Sequence, residues 1–488
     1  MNWILTQNNS IINVNNVPVV NIEELRQNII EKIKDNNRVI GFFGKNENSK
    51  IKLFVILAND KKSELLVSSV VFNPRESYQS ITQDVPAFHM FEREFYEEFG
   101  IEPIGHPWLK PLRSHKKEYP FFKVDGEEVH EVSVGPIHAG IIEPGHFRFM
   151  CNGERVYELE IQLGYQHRNI EQLFLRNKNS IHLAESITGD TVIGHSIAYC
   201  NAIEALSGFE ISNKASLIRI IALEMERIAV HIGDLGAISN DIAYLMGSSV
   251  FGATRTLLIN TLLEISGSRF GRGLIKIGGV AYDIDKNLSA KILTLLNKVL
   301  ADVDRMFKTM LSASSVMSRL EKTGILNKKR ALELGIVGMA AKASGVSLDV
   351  RGDYPCKFYK EFYHDKTLHE NGDVYARTYI RYEEIHQSAQ IIKEAISKLI
   401  NYENEPLSKK YEDGLKPDSM VISMVEGWRG EIIHTAITGK KGELSRYKIK
   451  DPSFNNWYGL AIAVRNNGIS DFPLCNKSFN LSYCGNDL

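Results

Sequence analysis

Three protonatable side chains and an arginine lie close together in a Gly/Pro-rich segment at residues 135–149, GPIHAGIIEPGHFRF. They are His138, Glu143, His146 and Arg148. A histidine and a carboxylate that line a cavity can act as general acid and base, because their pKa values can be tuned towards neutral pH. The alternative is a surface turn with solvated charges, since glycine and proline are common in turns of every kind.

A second polar segment, ESITGDTVIGHS at residues 185–196, lies directly ahead of a predicted helix. Asp190 and His195 are its candidate proton-handling groups. The alternative is a helix N-cap, in which Thr188 or Asp190 accepts hydrogen bonds from free backbone N–H groups. In that case His195 is a structural histidine.

A third group of polar residues follows one flank of a predicted long helix at residues 215–235. Apolar residues recur there at helical spacing, which predicts a broad buried face. The polar residues, at i, i+3, i+7 and i+10, are Glu224, Arg227, His231 and Asp234. They form either a solvated face with salt bridges or a buried polar network that anchors the helix to its neighbours.

The cysteines exclude several kinds of metal and redox site. They stand at positions 151, 200, 356, 475 and 484, and no two form a C-x-x-C pair. This spacing excludes a zinc ribbon, a thioredoxin-like motif and an iron–sulfur run. The sequence also contains no G-x-x-x-x-G-K-[ST] loop, and no G-x-G-x-x-G fingerprint follows a strand, so nucleotide binding is unsupported.

The elements that must position these groups fall into two parts. Residues 38–43, 51–57 and 65–72 are apolar and β-rich, and they predict the strands of a small sheet beside a helix at 21–34. Further along, the pattern becomes helical from about residue 168 to 325, which predicts a helix bundle.

Turn-forming residues and changes of pattern divide the chain into predicted elements and domains. A hairpin is predicted to turn at Asn152-Gly153, since Asn-Gly favours a tight turn. After residue 327 we expect short helices, one strand at 420–424, and a buried C-terminal run. The predicted fold class is α+β: a small α/β domain at residues 1–115, a linker at 116–128, and a second domain at 129–488 with a helix-bundle core and flanking β hairpins.

Composition limits the classes of function that the chain could have. The chain has 488 residues, with 58 Lys+Arg against 59 Asp+Glu and a formal net charge of -1. A near-neutral charge argues against nucleic acid as the main ligand. No run of about 18 apolar residues predicts a membrane span. The N-terminal residues carry no secretory signal pattern.

Taken together, these segments resemble a known family. The chain is similar to the large subunit of membrane-bound group 4 nickel–iron hydrogenases, of the formate hydrogenlyase and hydrogenase-4 type. It also resembles the paired peripheral-arm subunits of respiratory complex I, fused in one chain. The segments that carry the resemblance are FEREFYEEFGIEPIGHPWLKPLR, VGPIHAGIIEPGHFRF, GYQHRNIEQLF, EMERIAVHIGDLGAI, SRFGRGLIKIGGV, DVRGDYP, EGWRGEIIH and DFPLCNKSFNLSYCGNDL.

The resemblance also shows what has been replaced. The hydrogenases hold nickel and iron with four cysteines, two in an E-R-x-C-G-x-C-x-x-x-H-S motif and two in D-P-C-x-x-C. In this sequence the matching positions are Thr188, Thr191, Ser453 and Asn456. Hydroxyls and an amide are not the soft, anionic ligands that these metals need. We therefore predict no nickel–iron site and no other bound metal.

Complex I provides the functional model for such a site without metal. The resemblance implies that His138, Thr188, Thr191, Ser453 and Asn456 line a quinone cavity. His138, Glu143, Asp190 and His195 are then the catalytic or proton-relay candidates. No cofactor other than a quinone is predicted for this chain, and the iron–sulfur cluster is expected in a partner subunit.

The function implied is that of a peripheral-arm subunit in a complex I-like membrane oxidoreductase. It would couple electron transfer, NAD(P)H-linked by analogy, to proton or sodium translocation. The expected partners are an iron–sulfur small subunit and antiporter-like membrane subunits, and the expected location is the cytoplasmic face of the cell membrane. The alternative is a non-catalytic structural or coupling subunit of an antiporter-like complex.

Overall fold

The computed structural model describes residues 2–115, 119–140, 142–177, 180–363, 365–410 and 414–488. The first three residues of the predicted linker, 116–118, and Ile141 of the predicted cavity loop lie outside these ranges. Among the described residues, no helix combines the length and apolar character needed to cross a membrane.

The N-terminal part is a four-stranded antiparallel sheet with a helix packed on it. Its strand order is β1-β5-β4-β3, and the three strands predicted from the sequence are confirmed. The predicted helix is α1, which begins after the N-cap Asn21 and buries Leu25 and Ile29 against the sheet. The elements of this part are β1 (Ile4–Thr6), β2 (Ile11–Asn13), α1 (Ile22–Lys34), β3 (Arg38–Glu47), β4 (Lys50–Asn59), β5 (Glu64–Phe72), β6 (Ser77–Gln79), α2 (His89–Phe99) and β7 (Glu102–Ile104).

A three-stranded antiparallel sheet follows, formed by β8 (Val129–Val134), β9 (His146–Asn152) and β10 (Arg155–Gln162). The predicted hairpin is present, but its turn is shifted by one residue. Asn152 pairs with Arg155, so the central turn residues are Gly153 and Glu154. Gly153 has a φ of 53°, a left-handed conformation that glycine adopts without steric cost.

Helices form the core of the larger part, as predicted. The long helix α6 lies between α7 and α14, and its apolar face is buried along its whole length. The elements are α3 (Ile170–Arg176), α4 (Ile181–Ala184), α5 (Val192–Ser207), α6 (Asn213–Asp241), α7 (Leu245–Ser266), β11 (Ile275–Lys276), β12 (Gly279–Val280), α8 (Lys286–Ser312), α9 (Ser314–Leu320), α10 (Lys328–Glu333), α11 (Gly338–Ala343), α12 (Val350–Asp353), α13 (Tyr359–Phe362) and α14 (Val374–Leu399).

The 26-residue helix α14 was predicted only as part of a region of short helices, and that prediction is wrong. Its buried face includes Arg377, Arg381 and Glu384. Charged residues on a buried face weaken the hydrophobic periodicity by which an amphipathic helix is recognised.

The last part is a second antiparallel sheet followed by helices: β13 (Ser419–Gly427), β14 (Gly430–Thr438), β15 (Leu444–Lys450), α15 (Pro452–Val464), α16 (Phe472–Phe479) and α17 (Tyr483–Asn486). The sheet order is β15-β14-β13-β2, so a strand from the N-terminus completes it. Every residue of β13 and β14 is buried. A sheet covered on both faces lacks alternating polarity, which explains why the sequence indicated only residues 420–424. The predicted α+β class is confirmed.

Candidate functional site

The four positions that the resemblance matches to metal ligands lie near the starts of two helices. Thr188 and Thr191 precede α5, and Ser453 and Asn456 lie in the first two turns of α15. Helix α15 begins with Pro452, and the Asp451 carboxylate accepts a hydrogen bond from the Ser453 N–H at 2.8 Å. Proline at the first position and aspartate at the N-cap are both favoured at a helix start.

These four side chains are buried, and three of them are committed to protein groups. The Ser453 hydroxyl accepts from the Ser482 N–H at 2.9 Å, and the Asn456 amide bonds both backbone groups of Val337, at 3.0 and 3.1 Å. The Thr191 hydroxyl accepts from Arg429 at 3.3 Å. The Thr188 hydroxyl has no partner among the described residues.

This donor set does not fit a nickel–iron centre. Its members are neutral, and the amide oxygen of Asn456 already accepts a backbone hydrogen bond. The nearest cysteine along this network is Cys484, whose Sγ lies 3.3 Å from the Ser482 hydroxyl. Burial, together with the Glu143 carboxylate, raises the pKa of Cys484 to about 12. Cys484 therefore carries a protonated thiol in the chain without metal, and it does not stand at one of the four matched positions.

Arg429 holds the segment before α5 in place. Its guanidinium donates to both oxygens of the Asp190 carboxylate, at 2.8 and 2.5 Å, and lies 3.9 Å from the centre of the Trp428 ring. The Trp428 indole N–H donates to the Asp190 carbonyl at 3.0 Å. Arg429 and Trp428 are the turn between β13 and β14, so this hairpin fixes the position of Asp190 and Thr191.

The cap of α5 differs from the prediction. Neither Thr188 nor Asp190 caps the helix; the Glu226 carboxylate of α6 accepts from the N–H groups of Ile193 and Gly194, at 2.7 and 3.2 Å. Burial raises the pKa of Glu226 to about 8. Glu226 was not singled out in the sequence because it lies off the polar flank that begins at Glu224.

His195 belongs to a buried chain of hydrogen bonds. Its Nε2 lies 3.2 Å from Asp451 Oδ2, and its Nδ1 lies 3.1 Å from His434 Nε2. The Nδ1 atom of His434 lies 2.8 Å from the Tyr447 hydroxyl. All four residues are at most 1% exposed. His434 on β14 and Tyr447 on β15 were not predicted, since nothing in the local sequence indicates their contact with α5.

The direction of these hydrogen bonds follows from the charges. Burial would raise the pKa of Asp451, but the hydrogen bond from His195 and the nearby Arg429 lower it below its usual value, so Asp451 is an acceptor. Burial and the neighbouring His195 lower the pKa of His434 well below the usual range, so His434 is neutral. When His195 is neutral, Tyr447 donates to His434, His434 donates to His195, and His195 donates to Asp451. When His195 carries an extra proton, it donates to His434 and His434 donates to Tyr447, so these two bonds reverse. The chain is therefore suited to relay a proton.

Glu143 joins this network from the loop at residues 135–149. It contacts Cys484, which contacts Ser482, whose N–H bonds Ser453. His138 is placed differently, because its Nε2 lies 2.8 Å from the Gly145 carbonyl of its own loop. The structure thus joins Glu143, Ser453 and His195 through shared neighbours, and it brings Thr191 and Asp190 together through Arg429.

The polar flank of α6 is a buried network, so the solvated-face alternative is wrong. Arg227 donates to the carbonyls of Glu426 and Gly427, at 2.6 and 2.8 Å, and thereby anchors α6 to β13. His231 contacts Glu384 of α14 at 2.8 Å, and Asp234 contacts Arg381 at 2.9 Å.

Replacing Asp451 with asparagine is expected to lower the free energy of unfolding by about 1–3 kcal/mol at neutral pH, because His195 and the α15 N-terminus lose a charged acceptor. The folded-state pKa of Asp451 lies below its usual 3.8, so its stabilisation is present above that pH and is lost as the pH falls through the folded pKa. Urea unfolding should show the difference from wild type shrinking below about pH 3.8. The exposed Asp125→Asn variant is the control; an equal effect in both variants would contradict the prediction.

Comparisons with known proteins agree with this architecture. The family described as respiratory-chain NADH dehydrogenase, 49 Kd subunit, matches residues 241–487, and the 30 Kd subunit family matches residues 21–123. The chain is 27% identical over 458 residues to hydrogenase-4 component G of Escherichia coli, covering 88% of this chain and 79% of that protein. It is 30% identical over 368 residues to the alpha subunit of the membrane-bound hydrogenase of Pyrococcus furiosus, covering 72% and 85%.

A solved structure shares the fold. A chain of the membrane-bound sulfane sulfur reductase, an archaeal respiratory membrane complex, superposes with a TM-score of 0.69 at 21% sequence identity. The match covers 75% of this chain and 100% of that chain.

Proposed function

Because the chain belongs to the 49 kDa subunit family of the respiratory-chain NADH dehydrogenase, with a segment of the 30 kDa subunit family ahead of it, we propose that it is a peripheral-arm subunit of a complex I-like membrane oxidoreductase. In this role it works without a nickel–iron site. It passes electrons from an iron–sulfur cluster of a partner subunit to a quinone. Antiporter-like membrane subunits of the same complex then move protons or sodium ions across the membrane.

The observation that carries the proposal is that neutral side chains stand at the positions matched by resemblance to metal ligands, with proton-handling groups hydrogen-bonded beside them. The four metal-ligand positions hold neutral side chains, three of them bonded to protein groups. Around them, Arg429 is bonded to Asp190, and Asp451, His195, His434 and Tyr447 form a chain of hydrogen bonds. A site that lacks metal ligands and contains ordered proton-handling groups suits an acceptor that takes up protons together with electrons.

The residues of the candidate site have different roles in the proposed quinone reduction. Reduction of a quinone to a quinol consumes two electrons and two protons. The chain Tyr447–His434–His195–Asp451 can pass a proton along itself at the start of α15, and Glu143 is a proton-handling group on the loop side. Arg429 holds Asp190 and Thr191, so it shapes the wall of the site rather than reacting.

The test is the purified complex, isolated with its neighbouring subunits from membranes of the native cell. We expect an iron–sulfur small subunit and antiporter-like subunits to co-purify, and we expect quinone reduction. Arg429→Met should lower the quinone reduction rate at least about tenfold with the complex still assembled, because the wall segment is no longer held. The exposed Lys291→Met variant should retain the full rate. A complex that transports ions but reduces no quinone would support the structural alternative instead.

Elemental analysis provides a separate check. Cells grown with added nickel should yield a complex with far less than one nickel atom per copy of this chain, because the donor set lacks thiolates. A nickel content near one per chain would overturn the proposal.

A further inference from the structure

A cluster of charged residues is buried where α6, α11, α12 and α14 meet. Within the part of the chain that the structure describes, it contains four cations and four carboxylates, and we refer to it as the buried charge cluster. The cations are Arg227, Lys342, Arg351 and Arg381, and the carboxylates are Glu224, Asp234, Asp349 and Glu384.

Each carboxylate of the cluster has a cation within 3.1 Å. Glu224 contacts Arg227 at 3.1 Å and Arg351 at 3.0 Å. Asp349 and Glu384 contact Lys342 at 2.5 and 2.7 Å. Asp234 contacts Arg381 at 2.9 Å. Such pairing keeps buried carboxylates ionised, so the eight charges balance.

His231 adds no charge to this balance. Its Nε2 lies 2.8 Å from Glu384, whereas its Nδ1 has no hydrogen-bond partner among the described residues. Burial lowers its pKa below the usual value. A neutral imidazole that donates from Nε2 accounts for both observations.

Glu426 is a further carboxyl at the edge of the balanced cluster. Its Oε2 accepts from the Val350 N–H at 2.9 Å, and its Oε1 lies 3.8 Å from Lys342, too far for a hydrogen bond. Glu431, the residue opposite Glu426 in the hairpin, is itself neutralised by Lys450 and Arg38. Burial and the neighbouring Asp349 raise the pKa of Glu426 to about 8, although Lys342 and Arg227 act in the opposite direction.

A cavity reaches Glu426. It has a volume of about 680 Å³ and lies between α5, α6, β13 and the segment before α13. Polar side chains among its lining residues, including Asn8, Asn201 and Tyr359, can hold water. Of the four carboxylates of the cluster, none is a lining residue, whereas Glu426 is.

The position of Glu426 also ties it to the candidate site. Arg227 bonds the carbonyls of Glu426 and Gly427, and the next two residues are Trp428 and Arg429, which hold Asp190. Glu426 therefore lies three residues before Arg429, whose side chain holds Asp190 and Thr191.

We propose that Glu426 is a proton-loading site, whose carboxyl exchanges its proton with water in the 680 Å³ cavity while the four paired carboxylates stay ionised. On release, the O–H bond of the carboxyl breaks, water takes the proton, and the cluster gains one negative charge. Use of this proton in electron transfer rests on the proposed function, but the exchange itself does not.

Infrared difference spectroscopy of the purified full chain tests the exchange without any redox partner. Spectra recorded on either side of about pH 8 should show loss of a carboxylic acid C=O band in the wild type. That band should be absent from Glu426→Gln. Glu226, whose pKa is also about 8, gives a second band that Glu226→Gln removes. Retention of both bands in Glu426→Gln would overturn the proposal.

Hydrogen–deuterium exchange tests the access of water. In D2O the band of Glu426 should shift sooner than that of Glu226, whose oxygens are both bonded to backbone N–H groups and which does not line the cavity. Ala205→Phe, at the cavity wall, should delay the Glu426 shift and leave the Glu226 shift unchanged. This arm needs no substitution of Glu426, so it decides the matter even if Glu426→Gln does not fold. Equal exchange rates in the wild type would refute the proposal.

Discussion

Replacing Lys342 with methionine is expected to lower the free energy of unfolding by about 3–5 kcal/mol at neutral pH, because a buried carboxylate that loses its cation cannot be rehydrated. Lys342 is 1% exposed and donates to Asp349 and Glu384, at 2.5 and 2.7 Å. Its removal leaves the buried charge cluster with one excess negative charge. Urea unfolding at constant ionic strength measures the loss.

The sign of the pH dependence is a second signature of this variant. Burial acts to raise the pKa values of Asp349 and Glu384, but both lie below their usual values because of nearby cations: Arg351 and then Lys342 for Asp349, and chiefly Lys342 for Glu384. Without Lys342 these pKa values rise, so the folded variant holds protons to a higher pH than the folded wild type, and the loss of stability relative to wild type should shrink as the pH is lowered.

The matched control is Lys291→Met, which removes a lysine paired with Glu264 at 2.5 Å on the surface. The two side chains are 59% and 46% exposed. Exposed ion pairs contribute about 0–1 kcal/mol, so this variant should be close to wild type. A Lys342→Met variant as stable as Lys291→Met would show that the cluster does not behave as a set of buried charges.

Replacing Gly338 with alanine is expected to destabilise the protein by about 2–5 kcal/mol, through backbone strain and overpacking. Gly338 has a φ of 65°, and a Cβ atom there would lie 1.9 Å from the Arg429 carbonyl oxygen and 2.3 Å from Gly430 Cα. These are backbone atoms, so no side-chain rotation relieves the clash. The hairpin turn must move, and the contact between Arg429 and Asp190 moves with it.

Two measurements check this prediction. Urea unfolding gives the loss of stability, and tryptophan fluorescence of the folded protein should change because Trp428 lies in the displaced turn. Gly252→Ala is the control: it lies within α7, and its added Cβ would meet nothing within 4 Å. Alanine in a helix interior is favoured over glycine by about 0.5–1 kcal/mol, so the control should be slightly more stable than wild type.

The resemblance predicted from motifs is confirmed by the family matches to residues 21–123 and 241–487. The local sequence pattern was enough to predict β3, β4 and β5, which are rich in apolar, strand-favouring residues and bounded by turns. It was also enough to predict α6, whose apolar residues recur at helical spacing. Local pattern was not enough for β14 and β15 or for the length of α14. Burial on both faces, or charge on the buried face, removes the periodicity on which such predictions depend.

The sequence by itself determined which residues stand at the positions that the resemblance matches to metal ligands, because a motif fixes the order and spacing of its residues: Thr188, Thr191, Ser453 and Asn456. Only the tertiary structure decided what these positions contact. His195 meets His434 and Asp451 across 239 and 256 residues of chain, and Glu226 rather than Thr188 or Asp190 caps α5. The physical reason is that a buried polar group must find a partner, but the packing of distant elements selects which one.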